Sequence, residues 1–523
     1  MKFISMPQIA LYLWIFSSAI VISNHVVGVK AFMIRPNNCH NSMIIKPLSL
    51  SSETPTETKN SAFASSPPEL RQEKPKQEEK YNLWKQGRSA NASLKLLEQY
   101  QKESAQIVQS FVPGEDFNPV SLLGSNNHFQ TIGGFLARQS LPELKYVKKN
   151  QLIPTIIQAV ANKMKIHHQD QHTNHTVENF WDRRDRIETP DGDWFHADYK
   201  YYDVDGQREV EGTPSPLPRS SQGLVILLHG FESNSDSPLS KEMANGYSKL
   251  GLDVVCLNFR GCSGTPNDSL MAYHLGFTDD LRHFLSLVKS RHCGGGSDEN
   301  MPPIYLSGFS FGSNVVLKAL GELGESAIDE YSIQGAALAS APLDLTSNQL
   351  ILEAPGFTRQ VYGNNMFNLL KAKMQYKFET NCDGDINTDK FDYPRAISAT
   401  TISQLEDAYI APIFGFDSYL DYYQKSSSIF FLDGIAVPTL IINAKDDPFF
   451  DPNVWPVDKS CEGGGNAPLK LIHSEKGGHL GFLFHQIEDE DELLDLQSDP
   501  LSPSWCSAEC VRFIDHVHSA ASC

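Results

Sequence analysis

Ile304-Tyr305-Leu306-Ser307-Gly308-Phe309-Ser310-Phe311-Gly312 runs directly into Ser313-Asn314-Val315-Val316-Leu317-Lys318-Ala319-Leu320. An apolar run, a Gly-x-Ser-x-Gly pentapeptide and a stretch at helical spacing follow one another, the order in which a strand, a sharp turn and a helix push a serine clear of the backbone. At the flanking positions a Cβ would collide with the neighbouring strand or helix, so Gly308 and Gly312 suit a crowded, strained turn. Ser310 is therefore the first candidate for a nucleophile.

Outward from this turn the chain alternates short, uniformly apolar runs with amphipathic ones, the pattern of a mostly parallel sheet flanked by helices. Buried strands are expected at Leu224–Leu228, Asp253–Asn258, Ile304–Leu306, Gly335–Ala339 and Thr439–Asn443. Helices are expected at Pro238–Leu250, Thr278–Ser290 and Asn314–Leu323. The interval 343–432 interrupts the alternation. It is rich in Phe, Tyr, Met and Leu and reads as a helical cap inserted over the cleft, with plain core as the competing reading.

A serine at its own pKa is a weak nucleophile and needs a base, itself oriented by a third group. On folds that expose a serine in this way, the acid follows a later strand and the histidine comes last. Asp446 and Asp447 stand just beyond the strand Thr439–Asn443; Asp447, followed by Pro448, is the preferred acid and Asp446 the alternative. Among 17 histidines, His479 has the right place in the order, and Gly477, Gly478 and Gly481 let a loop carry its ring. Histidine can take the serine proton and return it near neutral pH. Oxyanion donors are expected at the backbone N–H of Phe311 and of Phe231, with His229 bracing the second loop. His274 and Asp279 are spaced His-x-x-x-x-Asp, a pattern seen in acyltransferases, but their place at a helix start favours a structural role. Cys262 has no adjacent base and is not proposed as a nucleophile.

The 523 residues are 40% hydrophobic and 20% charged, with a formal charge of −19. That balance argues against a nucleic-acid surface, which needs clustered Lys and Arg. The acid run Glu488-Asp489-Glu490-Asp491-Glu492 is expected to be a solvated loop. Nine scattered cysteines give neither zinc-ligand spacing nor a disulfide framework, and no metal or cofactor is expected. Cys506 and Cys510 would share one helix face.

Residues 1–31 carry Lys2 and the apolar stretch Ile9–Ile22, a targeting segment or membrane anchor. Residues 32–80 read as a transit-like, disordered linker, lacking apolar residues to offset ordering entropy. The Ala31-Phe32 junction resembles the bipartite presequences of algae whose plastids are wrapped in extra membranes. Entry into the secretory pathway is expected, with plastid, membrane-anchored and secreted destinations all open. Residues 81–523 form the main domain.

Asn127-His128-Phe129-Gln130-Thr131-Ile132, Thr189-Pro190-Asp191-Gly192-Asp193, His229-Gly230-Phe231-Glu232, Asn258-Phe259-Arg260-Gly261-Cys262-Ser263-Gly264, Tyr273-His274, the Ser310 turn, Asn443-Ala444-Lys445-Asp446-Asp447-Pro448 and Gly477-Gly478-His479 together resemble the YheT-type α/β-hydrolases, over about residues 116–487. The resemblance implies an α/β-hydrolase fold and carboxylic-ester or phospholipid acyl chemistry. It implies a serine esterase working through an acyl-enzyme on a small-molecule or lipid ester, with acyl transfer to an alcohol or a silent binding role as alternatives. Two positions depart from the family pattern, Ser313 after the turn and Ser233 after Glu232, both where glycine is common.

Overall fold

Leu224–Leu228 shows why the strands read as uniformly apolar. Leu224, Ile226 and Leu228 enter one buried cluster while Val225 and Leu227 enter another, because successive side chains point to opposite faces of a sheet covered on both sides. The computed structural model describes residues 92–119, 127–140, 145–148, 180–202, 222–293, 301–382, 384–386 and 388–521. The chain divides into two units, Met1–Pro75 and Lys76–Cys523, and the described residues belong to the second. The expected leader (1–31), the linker (32–80) and the first residues of the expected main domain (81–91) lie outside them.

Among the described residues, β1 (Tyr146–Lys148) pairs in parallel with β10 (His485–Ile487). The main sheet has eight strands in the order β2 (Arg183–Glu188), β3 (Trp194–Lys200), β5 (Asp253–Leu257), β4 (Leu224–Leu228), β6 (Ile304–Phe309), β7 (Ile333–Ala339), β8 (Thr439–Ala444) and β9 (Leu469–Ser474). From β5 onward the neighbours are parallel, while β2–β3 and β3–β5 are antiparallel. The mostly parallel α/β sheet expected from the sequence is present, with the strand Ile304–Leu306 extended to Phe309. The antiparallel arm was not anticipated. Arg183-Arg184-Asp185-Arg186 carries no apolar signal, since an edge strand keeps its exposed face charged.

Helices α1 (Ala92–Ser110), α2 (Asn127–Ser140) and α3 (Pro238–Ser248) precede α4 (Asp279–Cys293) and α5 (Phe311–Leu323). α4 and α5 bury Phe284, Leu285, Val315 and Leu317 on one sheet face. α3 and the C-terminal Trp505–Ala521 helix bury Tyr247, Phe513 and Ile514 on the other. Cys506 and Cys510 lie together on that last helix, both buried. Between β7 and β8 the chain forms α6 (Leu345–Glu353), α7 (Asn364–Asn381), α8 (Tyr393–Ser398), α9 (Ile402–Ala408), α10 (Ile410–Phe414) and α11 (Tyr419–Ser426). This insertion has a core of its own, including Met374, Phe378, Leu405 and Tyr422.

The acid run is a correction. Rather than a loop, Glu490–Ser498 is helical, with Asp489 as N-cap accepting the amides of Asp491 and Glu492 at 2.9 Å. Carboxylates complement the positive end of a helix, so a dense acidic stretch can start one. Among the described residues no helix is long and apolar enough to cross a membrane.

Two motif blocks are structural. Arg260, 2% exposed, donates to Asp280 at 2.6 Å and to Asp191 at 2.6 Å, while Asp193 accepts from Asn267 and Ser269, each at 2.6 Å. The turn before β3, the loop after β5 and the start of α4 are thereby tied together beside the sheet's carboxyl edge. At that edge end β4, β6 and β8, the place where parallel α/β sheets present their sites.

Candidate active site

β6 ends at Phe309 and α5 begins at Phe311, leaving Ser310 alone to reverse the chain, at φ 53° and ψ −121°. This is left-handed territory that costs a residue with a Cβ about 1–3 kcal/mol unless its surroundings enforce it. They do. The Ser310 N–H donates to Ala339 O at 2.8 Å, and the Ser313 hydroxyl bonds Gly308 O at 2.8 Å and Ala339 O at 2.9 Å. Ser313, a departure from the family pattern, thus ties the turn to β7. A Cβ on Gly312 would stand 2.2 Å from Leu228 O, and one on Gly308 would stand 2.8 Å from Gly312 C. Gly312→Ala should therefore destabilise the fold by about 1–3 kcal/mol, the range for overpacking a tight interior; an unchanged urea midpoint would contradict this close packing.

The Ser310 Oγ lies 2.8 Å from His479 Nε2, and His479 Nδ1 lies 2.8 Å from Asp447 Oδ2. Asp447 has a fully buried side chain, and its Oδ1 accepts the Phe449 N–H at 2.9 Å, so both carboxylate oxygens are occupied. Asp446 points elsewhere: its Oδ1 accepts the Gly478 N–H at 2.9 Å, and burial pushes its pKa upward. One of the adjacent carboxylates holds the imidazole and the other holds the loop that carries it. The Phe449 and Phe450 rings lie 4.3 and 5.2 Å from the His479 ring.

The histidine loop depends on a helix for which the sequence suggested no role. Gly478, at φ +58°, is packed so closely that a Cβ would meet Asn127 O at 2.6 Å and Thr131 Oγ1 at 2.7 Å. The His479 N–H donates to Thr131 Oγ1 at 2.9 Å. One turn on, the buried Gln130 amide clasps Leu483, accepting its N–H at 2.8 Å and donating to its carbonyl at 3.1 Å. Arg138 donates to Leu480 O at 2.6 Å. α2 is thus the seat of the loop. The Asn127–Ile132 block was the one signal for it, and that signal says nothing about which loop the block meets.

The first strand's turn is equally constrained. His229 Nδ1 bonds Gly230 O at 2.8 Å and its Nε2 accepts the Phe259 N–H at 3.1 Å. Burial pushes its pKa down to about 4, which fits a neutral brace. Phe311 is the first residue of α5, where amides have no acceptor within the helix. Phe231 precedes Glu232, at φ 48°, whose N–H donates to Tyr273 Oη at 3.1 Å. Tyr273 donates in turn to Glu232 Oε1 at 2.5 Å, and Lys373 of α7 donates to the same oxygen at 2.6 Å. Burial raises the Cys262 thiol to about 11, which leaves it largely unionised near neutral pH. Asp279 opens α4, and His274 is ringed by Phe277, Phe414, Phe416 and Tyr422.

Ser310 opens on a cavity of about 120 Å³ walled by both the sheet edge and the insertion, with Phe231, Leu352, Leu370, Ile410 and Phe414 among its apolar lining. Among the described residues no group of three or more His, Cys, Asp or Glu is placed to hold a metal. A hydroxyl, an imidazole and a carboxylate in line can generate an alkoxide-like oxygen at this mouth.

The alpha/beta hydrolase fold family matches residues 223–486. YheT of Escherichia coli (strain K12) is 31% identical over 298 residues, covering 57% of this chain and 78% of that protein. The medium-chain fatty acid ethyl ester synthase/esterase 2 of Saccharomyces cerevisiae is 30% identical, over 50% of this chain and 58% of the relative. The monoacylglycerol lipase of the same yeast is 24% identical, over 54% and 58%. The chain spans little more than half the length of these two yeast proteins. With the family match running across β4, β6, β8 and the turns that carry Ser310, Asp447 and His479, the chain belongs to the YheT-type group of the α/β-hydrolase family.

Proposed function

We propose that the chain is a carboxylic-ester hydrolase that works through an acyl-enzyme on Ser310. The observation that carries this reading is the unbroken line Ser310–His479–Asp447, two bonds of 2.8 Å, at the mouth of an apolar cavity. His479 Nε2 takes the hydroxyl proton as Oγ attacks the ester carbonyl carbon, then delivers it to the departing alkoxide. Asp447 keeps the other ring proton on Nδ1 and stabilises the imidazolium that forms. The Phe231 and Phe311 amides receive the oxyanion, where such donors act most strongly. Water, deprotonated by the same histidine, then attacks the acyl carbonyl and frees the acid and Ser310. A fluorophosphonate probe should label the native protein, with the added mass on the peptide containing Ser310. A protein that stays unlabelled would be a silent member of the fold, and the proposal would fail.

The cavity size supports medium-length acyl chains. An engineered apolar cavity of about 150 Å³ accepts a benzene-sized ligand, so about 120 Å³ houses a chain segment of roughly that carbon count. In a series of ethyl esters, kcat/KM should rise from acetate to a maximum at medium length. A profile highest at acetate would remove the cavity from the reading. The yeast relative named as both ester synthase and esterase supports a second reading, in which an alcohol replaces water at the deacylation step. Ethanol added to a turnover assay separates the two by the ratio of transferred to free acid.

A further inference from the structure

The cavity is not purely apolar. Glu406 lines it from α9, 5% exposed. Its Oε2 accepts a hydrogen bond from Tyr423, and among the described residues its Oε1 has no partner. His274 lines the same cavity. The Gly276 N–H donates to its Nδ1 at 3.2 Å, so the neutral ring carries its proton on Nε2, which has no partner among the described residues. Asn348, 6% exposed on α6, is a third polar residue of the wall, and its Nδ2 is buried without a partner. Burying polar groups in a hydrocarbon slot without bonding them is costly, and an alkyl chain alone would leave them unpaired.

We propose that His274 and Glu406 form a polar station in the substrate cavity that hydrogen-bonds a neutral oxygen function of the ester, a hydroxyl held away from the scissile carbonyl. This deepens the ester-hydrolase reading and rests on it. The station is uncharged near neutral pH: burial lowers the His274 pKa to about 3 and raises that of Glu406 to about 8. An imidazole N–H and a carboxylic acid O–H both suit a neutral acceptor better than a carboxylate. A hydroxyl oxygen carries two lone pairs and can accept from either donor. The hydroxyl can belong to the acyl chain or to the alcohol part of the ester.

The test compares kcat/KM for ethyl decanoate, for ethyl decanoates hydroxylated at successive carbons, and for glycerol monodecanoate. At least one hydroxylated ester should be favoured over ethyl decanoate by about tenfold or more, since a site built to bond a hydroxyl penalises the analogue lacking it. A preferred hydroxyacyl ester places the hydroxyl on the acyl side, and a preferred glycerol ester places it on the alcohol side. Glu406→Leu should bring that ratio close to one, Glu406→Gln should keep most of it, and His274→Phe should lower it. A wild type that shows no preference, or a Glu406→Leu protein that keeps the full ratio, overturns the proposal. Should Glu406→Leu not fold, the wild-type ratio and the Gln variant still decide. If none of the esters is cleaved and no fluorophosphonate adduct forms on Ser310, the hydrolase reading fails first and this one with it.

Discussion

Asp447→Asn should lower kcat for ester hydrolysis about ten-thousand-fold, whereas Asp446→Asn should cost less than about tenfold. The two carboxylates are neighbours in sequence, but they bond different partners. Asp447 Oδ2 accepts a hydrogen bond from His479 Nδ1 at 2.8 Å. An asparagine amide turned the same way would offer Nδ1 a hydrogen instead, push the ring proton to Nε2 and leave no lone pair facing Ser310. The geometry would survive while the base would not. Asp446 needs only an acceptor for the Gly478 N–H at 2.9 Å, and the asparagine carbonyl still supplies one. Steady-state rates on one soluble ester, with melting temperatures to confirm folding, separate the pair. Equal losses would show that loop placement, rather than the imidazole tautomer, limits the reaction.

That pair also marks how far the sequence could be read. The strand Thr439–Ala444 announces itself by apolar residues on both faces, and the acid was expected beyond it. Which of two adjacent side chains turns toward the histidine depends on the turn after β8, and periodicity carries no information about that. The Ser310 turn was readable because strand, Gly-x-Ser-x-Gly and helix follow one another in the chain, and its glycines fill places where a Cβ would stand 2.2 or 2.8 Å from a backbone atom. The support for His479 was not, because Thr131 bonds it across 348 residues of chain and neither neighbourhood hints at the other. β2 escaped for a different reason: a charged edge strand pairs through its backbone, and its side chains look like those of a loop. In the helical insertion the aromatic content was visible early. Its division between an internal core and the cavity wall was not, since Leu370 and Tyr409 belong to both.

Lys373→Met should lower kcat about ten- to a hundredfold and leave KM within about threefold, a smaller loss than removing an oxyanion donor outright, which costs about 10²–10³. Phe231, the proposed second donor, precedes Glu232, whose φ of 48° is a strained conformation for a side chain with a Cβ. Tyr273 and Lys373 both bond its Oε1, and Lys373 also sits 4.5 Å over the Tyr273 ring. Tyr273 in turn packs edge-on against Phe311, with centroids 5.1 Å apart. One ammonium from the insertion thereby steadies the turns that bear both proposed oxyanion donors. Without it Glu232 becomes a largely buried carboxylate lacking its cation, a change that costs far more than the intact pair contributes, and the turn would relax toward ordinary φ. Since the oxyanion exists only after attack, the loss should fall on kcat rather than on substrate binding. Lys373→Arg, which retains the charge, should recover part of the rate. Titration of active sites with the fluorophosphonate probe would show whether each variant still folds. A raised KM at unchanged kcat would instead make Lys373 a substrate contact and detach the insertion from the oxyanion turn.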